Sequence, residues 1–184
     1  MRMKGDQAVS PVVGVMLMLV VTIIIAAVVS AFAGGMSTGK DKAPQATVKA
    51  KFSQSNGMEI YHMGGDTINT QSTSVIVRPT RSFGNYDQLS WVINKSVIKT
   101  DNKDWVNQSV SMTYNLARTF KPGDTAYILS ADLPRVQEKT GGVADYYSNS
   151  YGFGNVKSVG NSFILTLTDD SGKSIASTEV EIRS

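Results

Sequence analysis

Hydrophobic and polar positions along this chain fall into two regimes. From Gln7 to Gly39 no side chain is charged, and Val12 to Ala33 (VVGVMLMLVVTIIIAAVVSAFA) is apolar except for the hydroxyls of Thr22 and Ser30. This uninterrupted run of 22 residues predicts a helix that, at about 1.5 Å per residue, reaches roughly 33 Å and matches a bilayer's hydrocarbon core. Its thirteen Val, Leu, Ile and Phe residues carry an insertion free energy on the order of −4 to −8 kcal/mol before the small and polar residues are discounted. Both ends of the helix are marked. Ser10 is placed to accept from the first free backbone N–H groups, Pro11 suits the first helical position, and Gly34-Gly35 supplies a stop.

Beyond the run the period drops to two. Alternating stretches occur at Ala46 to Phe52, Met58 to His62, Ser74 to Arg78, Trp91 to Ile93, Ser109 to Tyr114, Thr125 to Leu129, Ser162 to Thr168 and Ser174 to Ile182. Short strands separated by Gly, Asn, Asp and Pro turns predict an antiparallel β-sandwich or barrel, with Asp169-Asp170-Ser171-Gly172-Lys173 as the clearest hairpin loop. The expected class is therefore α+β: a long N-terminal hydrophobic helix over 7–35, a Gly/Ser/Lys-rich linker over 36–45, and an all-β, antiparallel, sandwich-like domain over 46–184.

Composition changes this picture mainly by exclusion. Averaged over 184 residues, 41% apolar and 18% charged positions describe an ordinary soluble protein and conceal the run. There is no cysteine and a single histidine, His62, so thiolate metal sites, disulfides and histidine clusters are ruled out. The net charge of +3 comes from scattered singles, 18 Lys and Arg against 15 Asp and Glu, which gives no support for a nucleic-acid partner. Nucleophile elbows, phosphate-binding loops and metalloprotease motifs are missing too, so neither an enzyme nor a cofactor is expected.

Three readings fit the apolar run by itself: a signal peptide cut after Ala31-Phe32-Ala33, a plain single-span anchor, or an anchor that also serves as a polymerisation helix. The signal-peptide reading is weakened by length, because its apolar region is usually about 7–15 residues. The segment ahead of the run separates the other two. The basic stub Met1-Arg2-Met3-Lys4-Gly5-Asp6 is followed at once by Gln7-Ala8-Val9-Ser10-Pro11-Val12-Val13-Gly14-Val15-Met16-Leu17-Met18. Over about residues 4 to 35 the chain resembles the euryarchaeal type IV pilins, in which an AVSPV[IV]GV-type motif directly follows a short charged leader.

That resemblance implies a class III leader over 1–6, cut by a prepilin peptidase between Asp6 and Gln7, so that the helix stays on the mature protein. It also implies a precursor held in the cell membrane, then an extracellular filament of identical subunits built by pilus assembly machinery, with a role in adhesion. The lysines and arginines around the run number two on each side and do not fix its orientation. The resemblance places the leader in the cytoplasm. One departure matters: bacterial type IV pilins carry a glutamate at the fifth mature position, where this chain has Pro11. Registration must then come from packing shape, for which Pro11, Gly14 and the small pairs Ala26/Ser30 and Ala27/Ala31 are the candidates. A membrane-anchored, ligand-binding β-domain that never polymerises is the rival reading, and an archaellin-like filament subunit is a nearer one.

Two loop motifs extend the resemblance. His62-Met63-Gly64-Gly65-Asp66 is similar to the H-x-GGD element of these pilin domains, and Phe120-Lys121-Pro122-Gly123-Asp124 to their F-x-PGD element. As a site, His62, Asp66 and Asp124 would form a metal or acid/base cluster. As plain structure, they are turns in which aspartate caps its own backbone beside a partly buried histidine. Asn94-Lys95-Ser96 and Asn107-Gln108-Ser109 are glycosylation sequons, Trp91 and Trp105 are expected core aromatics, and the Tyr/Ser/Asn/Gly-rich stretch 141–155 is either an adhesive contact loop or a surface loop folded on its own domain.

Overall fold

In the computed structural model of the chain, the described residues are 11–35, 44–83, 89–106, 116–138, 146–147 and 151–184. The chain divides into two compact units, Met1–Lys42 and Ala43–Ser184. The first contains helix α1, Pro11–Gly35. Every residue from 12 to 33 on it is exposed. Val12–Ala33 is long and apolar enough to cross a membrane.

The second unit is built from eleven strands among the described residues: β1 Ala46–Ser53, β2 Gly57–Gly65, β3 Ile68–Asn69, β4 Thr73–Pro79, β5 Trp91–Val92, β6 Lys99–Thr100, β7 Lys103–Asp104, β8 Thr119–Phe120, β9 Thr125–Ile128, β10 Ser162–Asp169 and β11 Ser174–Arg183. Nine of them join in the order β5-β4-β10-β11-β1-β2-β9-β6-β7, while β3 and β8 form a separate ribbon. The expected class holds: an apolar helix followed by an antiparallel-rich β domain. One named pair is parallel, β1 with β11, in register at Phe52 with Ile182 and Ser53 with Arg183. On either side of that seam, strands from both halves contribute to a single core.

The alternation in sequence is what makes that core. In β10, Phe163, Leu165 and Leu167 point inward opposite Val180, Thr178 and Ala176 of β11, while Ile164 and Thr166 lie on the outer face opposite Glu179 and Ser177. Phe153 stacks on Phe163 with ring centroids 4.5 Å apart and meets Phe52 and Trp91 edge-on. A second aromatic group surrounds Phe120, which contacts Trp105 and His62 at 5.6 and 5.1 Å. Trp91 and Trp105 are thus core residues, the latter fully buried with its indole N–H on Thr100 Oγ1 at 2.9 Å.

The hairpin at 169–173 forms as expected: Asp169 Oδ1 accepts from the backbone N–H groups of Ser171 and Lys173 and from the Ser171 hydroxyl. These bonds hold the Asp169 carboxyl below its usual range, the hydroxyl contributing most. The two-residue strands β3, β6, β7 and β8 and the 3-10 segment Ser130–Gln137 have no counterpart in the alternating stretches. The two-residue strands are too short to show a period, and the 3-10 segment does not alternate with period two. The stretch Ser109 to Tyr114 and most of the linker 36–45 lie outside the described residues.

Candidate functional site

Helix α1 carries Pro11 as its first residue, and Gly14, Ala26, Ala27, Ser30 and Ala31 along its exposed surface. A Cβ built at Gly14 meets nothing within 4 Å. Since the helix is apolar on every side, no face is marked as the one that turns toward water. The proposed cleavage pair Asp6 and Gln7 lies outside the described residues.

The two loop motifs, far apart in sequence, interlock in the β domain around the residue just before β1. His62 lies on β2 with its side chain buried, and its Nε2 donates to the Asp66 carbonyl at 3.0 Å. Nδ1 is left buried with no partner among the described residues. The Asp66 N–H donates to the Gln45 carbonyl at 2.8 Å, and the Gln45 N–H returns a bond to Asp66 Oδ2 at 3.0 Å. Gly65 makes this approach possible. Its φ of +103° lies in the left-handed region, and a Cβ there would stand 2.4 Å from the Gln45 carbonyl oxygen. Gly64 and Gly65 end a strand rather than forming a free turn, and they pair with Thr47 and Ala46 across a register shift.

The second motif locks onto the first. The His62 N–H donates to the Asp124 carbonyl at 3.0 Å, the Gly123 N–H to the His62 carbonyl at 2.8 Å, and the Lys121 N–H to Asp124 Oδ2 at 2.8 Å. Phe120 lies under the imidazole. Asp66 and Asp124 therefore spend their carboxylates on backbone N–H groups. Among the described residues no three His, Asp or Glu side chains converge in a way that could hold a metal ion. Taken together, the motifs form a structural clasp that fixes the start of β1.

Of the two sequons, Asn107 lies outside the described residues. Asn94 is exposed at the start of a 3-10 turn, Lys95–Val97, where its Oδ1 accepts from the Ser96 N–H at 3.1 Å and its Nδ2 donates to Glu138 Oε1 at 3.3 Å. In the tyrosine-rich stretch, the described part folds onto its own domain. The Phe153 N–H donates to Gln137 Oε1, and the Gln54 amide donates to the carbonyls of Phe153 and Asn155. Tyr146 is buried with its ring against Gly154, where any Cβ would lie within 2.1 Å of the ring, and burial pushes its phenol up to about 12. Tyr147 beside it is 66% exposed.

The segment that carries helix α1 and the start of β1 is the part that comparison with known proteins recognises. Residues 7–48 match the family model for the archaeal Type IV pilin N-terminal domain. The matched segment thus runs from Gln7, where the uncharged run begins, through the whole of α1, to the first residues of β1 that the clasp holds. An uncharacterized protein of Archaeoglobus fulgidus is 43% identical to the chain over 79 residues, which are 41% of this chain and 55% of that protein. The match therefore spans about half the length of that relative.

Sequence reasoning missed Gln45, the partner at the centre of the clasp, because its bonds to Asp66 cross 21 positions. Only the glycine pair next to an aspartate hinted at a close backbone approach.

Proposed function

We propose that this chain is a structural subunit of a type IV pilus-like surface filament, and not an enzyme. The observation that carries this reading is the coincidence of the pilin N-terminal match with a helix apolar on all sides and exposed along residues 12–33. Such a surface has two covers available. A bilayer covers it in the precursor, and identical helices cover it once the subunit leaves the membrane. A prepilin peptidase removes residues 1–6 between Asp6 and Gln7, so the helix remains on the mature subunit and the assembly machinery can extract it into the filament core. With Pro11 at the fifth mature position no carboxylate is present there to pair with a neighbour's terminal amine. Gly14 and the pairs Ala26/Ser30 and Ala27/Ala31 let helix backbones approach and set the register by shape.

The β domain is then displayed outside the cell, where it mediates attachment. Asn94, exposed and already held in an Asx turn, and Asn107 are its glycan acceptors. Mass spectrometry of the mature chain from the cell surface tests the core of this reading. A first residue at or next to Gln7 is expected. An intact Met1, or a start at Gly34, overturns it. Negative-stain microscopy of sheared surface material should find the chain in filaments, and its absence there favours a single-span anchor.

A further inference from the structure

The ribbon of β3 and β8 presents a polar face that the clasp does not use. Its register sets Asn69 directly opposite Thr119, and Thr67, Asn69 and Thr119 are exposed while Ile68 and Phe120 are buried beneath them. Together with Gln71, Leu116 and Arg118 this face lines a cleft of about 580 Å³, within the range of roughly 300–1,000 Å³ typical of small-ligand sites.

The chemistry of the cleft is one-sided. Among the described residues Arg118 is the only charged residue lining it, and the ion pairs of the domain, Lys99 with Asp104 and Arg183 with Glu181, do not involve it. Asn69 Oδ1 is taken by the Gln71 N–H at 2.9 Å, leaving the Asn69 amide nitrogen as a donor. The Gln71 amide nitrogen is taken by the Trp105 carbonyl at 2.6 Å, leaving its oxygen as an acceptor. The Thr67 and Thr119 hydroxyls can do either. A second, smaller cleft shares Leu116, Arg118 and Thr119 and adds Lys103 and Lys121, but Asp101 and Asp124 line it as well. Those carboxylates balance the two lysines, so no row of uncompensated cations exists for a densely charged polyanion. What remains is one planar guanidinium, whose fork matches the two oxygens of a carboxylate, surrounded by neutral groups of the kind that bind sugar hydroxyls.

We propose that this cleft binds a hexuronate residue of an acidic polysaccharide, with Arg118 holding the carboxylate and Thr67, Asn69, Gln71 and Thr119 the hydroxyls. The proposal deepens the adhesive reading and rests on it for where the polysaccharide is met; the binding step itself does not require a filament.

The test uses the full chain in detergent, offered immobilised polygalacturonate, neutral dextran and dextran sulfate, with free galacturonic acid as competitor. Retention on polygalacturonate but not on dextran is expected, with competition by the free acid. Arg118→Gln should weaken retention roughly tenfold or more, since it removes a charge-assisted pair. Arg118→Lys should recover part of it, and Lys49→Gln, an exposed lysine on β1 outside the cleft, should leave it unchanged. Circular dichroism checks that each variant is folded.

Absence of wild-type retention, unchanged affinity in Arg118→Gln, or equal losses in Arg118→Gln and Lys49→Gln would overturn the proposal. Tighter binding to dextran sulfate that ignores Arg118 would do the same, by showing only general charge attraction. A chain that forms filaments but does not bind polygalacturonate refutes the cleft alone. One that binds but never polymerises refutes the filament and leaves the cleft standing.

Discussion

Helix α1 and the β domain are built from the same apolar residue types and treat them in opposite ways. In the domain Ile60, Val75, Val77 and Leu165 are wholly buried, whereas in the helix Val20, Ile23 and Leu19 are more than half exposed. Chemistry cannot explain the difference, since a valine gains the same from leaving water in either place, roughly 1.5 to 3 kcal/mol. Geometry does. A strand sends alternate side chains to opposite faces, so β4 and β10 can bury Val75, Val77 and Leu165 while offering Ser74, Arg78 and Thr166 to solvent. A helix that is apolar on every side has no such second face. The domain buries its apolar residues against its own strands, whereas the helix has no polar face to set against an apolar one.

That contrast can be broken first at the helix. Gly14→Leu and Pro11→Glu should each abolish filaments while leaving the chain in the membrane fraction, because they alter packing shape at one end and barely change the total hydrophobicity of the span. Microscopy of sheared material beside membrane fractionation reads both quantities. Filaments of normal number in either variant would mean that packing shape at Pro11 and Gly14 does not set the register, and an apolar 22-mer that replaces α1 without loss of function would return it to the role of a simple anchor.

Within the domain the largest effect should come at the clasp. Gly65→Ala places a Cβ against the Gln45 carbonyl at a left-handed backbone position and should cost roughly 1–3 kcal/mol. Gly64→Ala meets nothing within 4 Å and should cost far less. Thermal unfolding measures the difference, and amide exchange at Gln45 to Thr47 should rise in the first variant only.

A smaller effect separates the folded part of the tyrosine-rich stretch from a free loop. Burial raises the Tyr146 phenol from 10.0 to about 12, so the folded state holds that proton more tightly than the unfolded one. The stabilisation is fully present below about pH 10 and is lost as pH climbs toward 12. Tyr146→Phe should flatten this alkaline decline in denaturant titrations run across that range. An unchanged decline would mean that the ring is not packed against Gly154 as described.

The long periodic elements were legible in the chain itself. Val12 to Ala33 needed no context, and β1, β2, β4, β9, β10 and β11 follow alternating stretches of four residues or more. Strands of two residues hold no period, so β3 and β8, the walls of the Arg118 cleft, could not be seen. The parallel seam between β1 and β11 was equally hidden, because nothing in either strand specifies which partner it takes.

By itself, then, the sequence determined that one segment is apolar on all sides and that the remainder alternates, which is enough for a span-length helix followed by a β domain. It also determined, through the absence of cysteine and the single histidine, that disulfides, thiolate sites and histidine clusters are ruled out. Only the tertiary structure decided that the two glycine-aspartate motifs serve one clasp, with their carboxylates satisfied by the backbone, and that, among the described residues, Arg118 is the only charged group lining the cleft between β3 and β8. The reason is range. Periodicity is set by neighbours a few residues apart, whereas His62 and Asp124, or Asn69 and Thr119, meet only after the strands between them have paired.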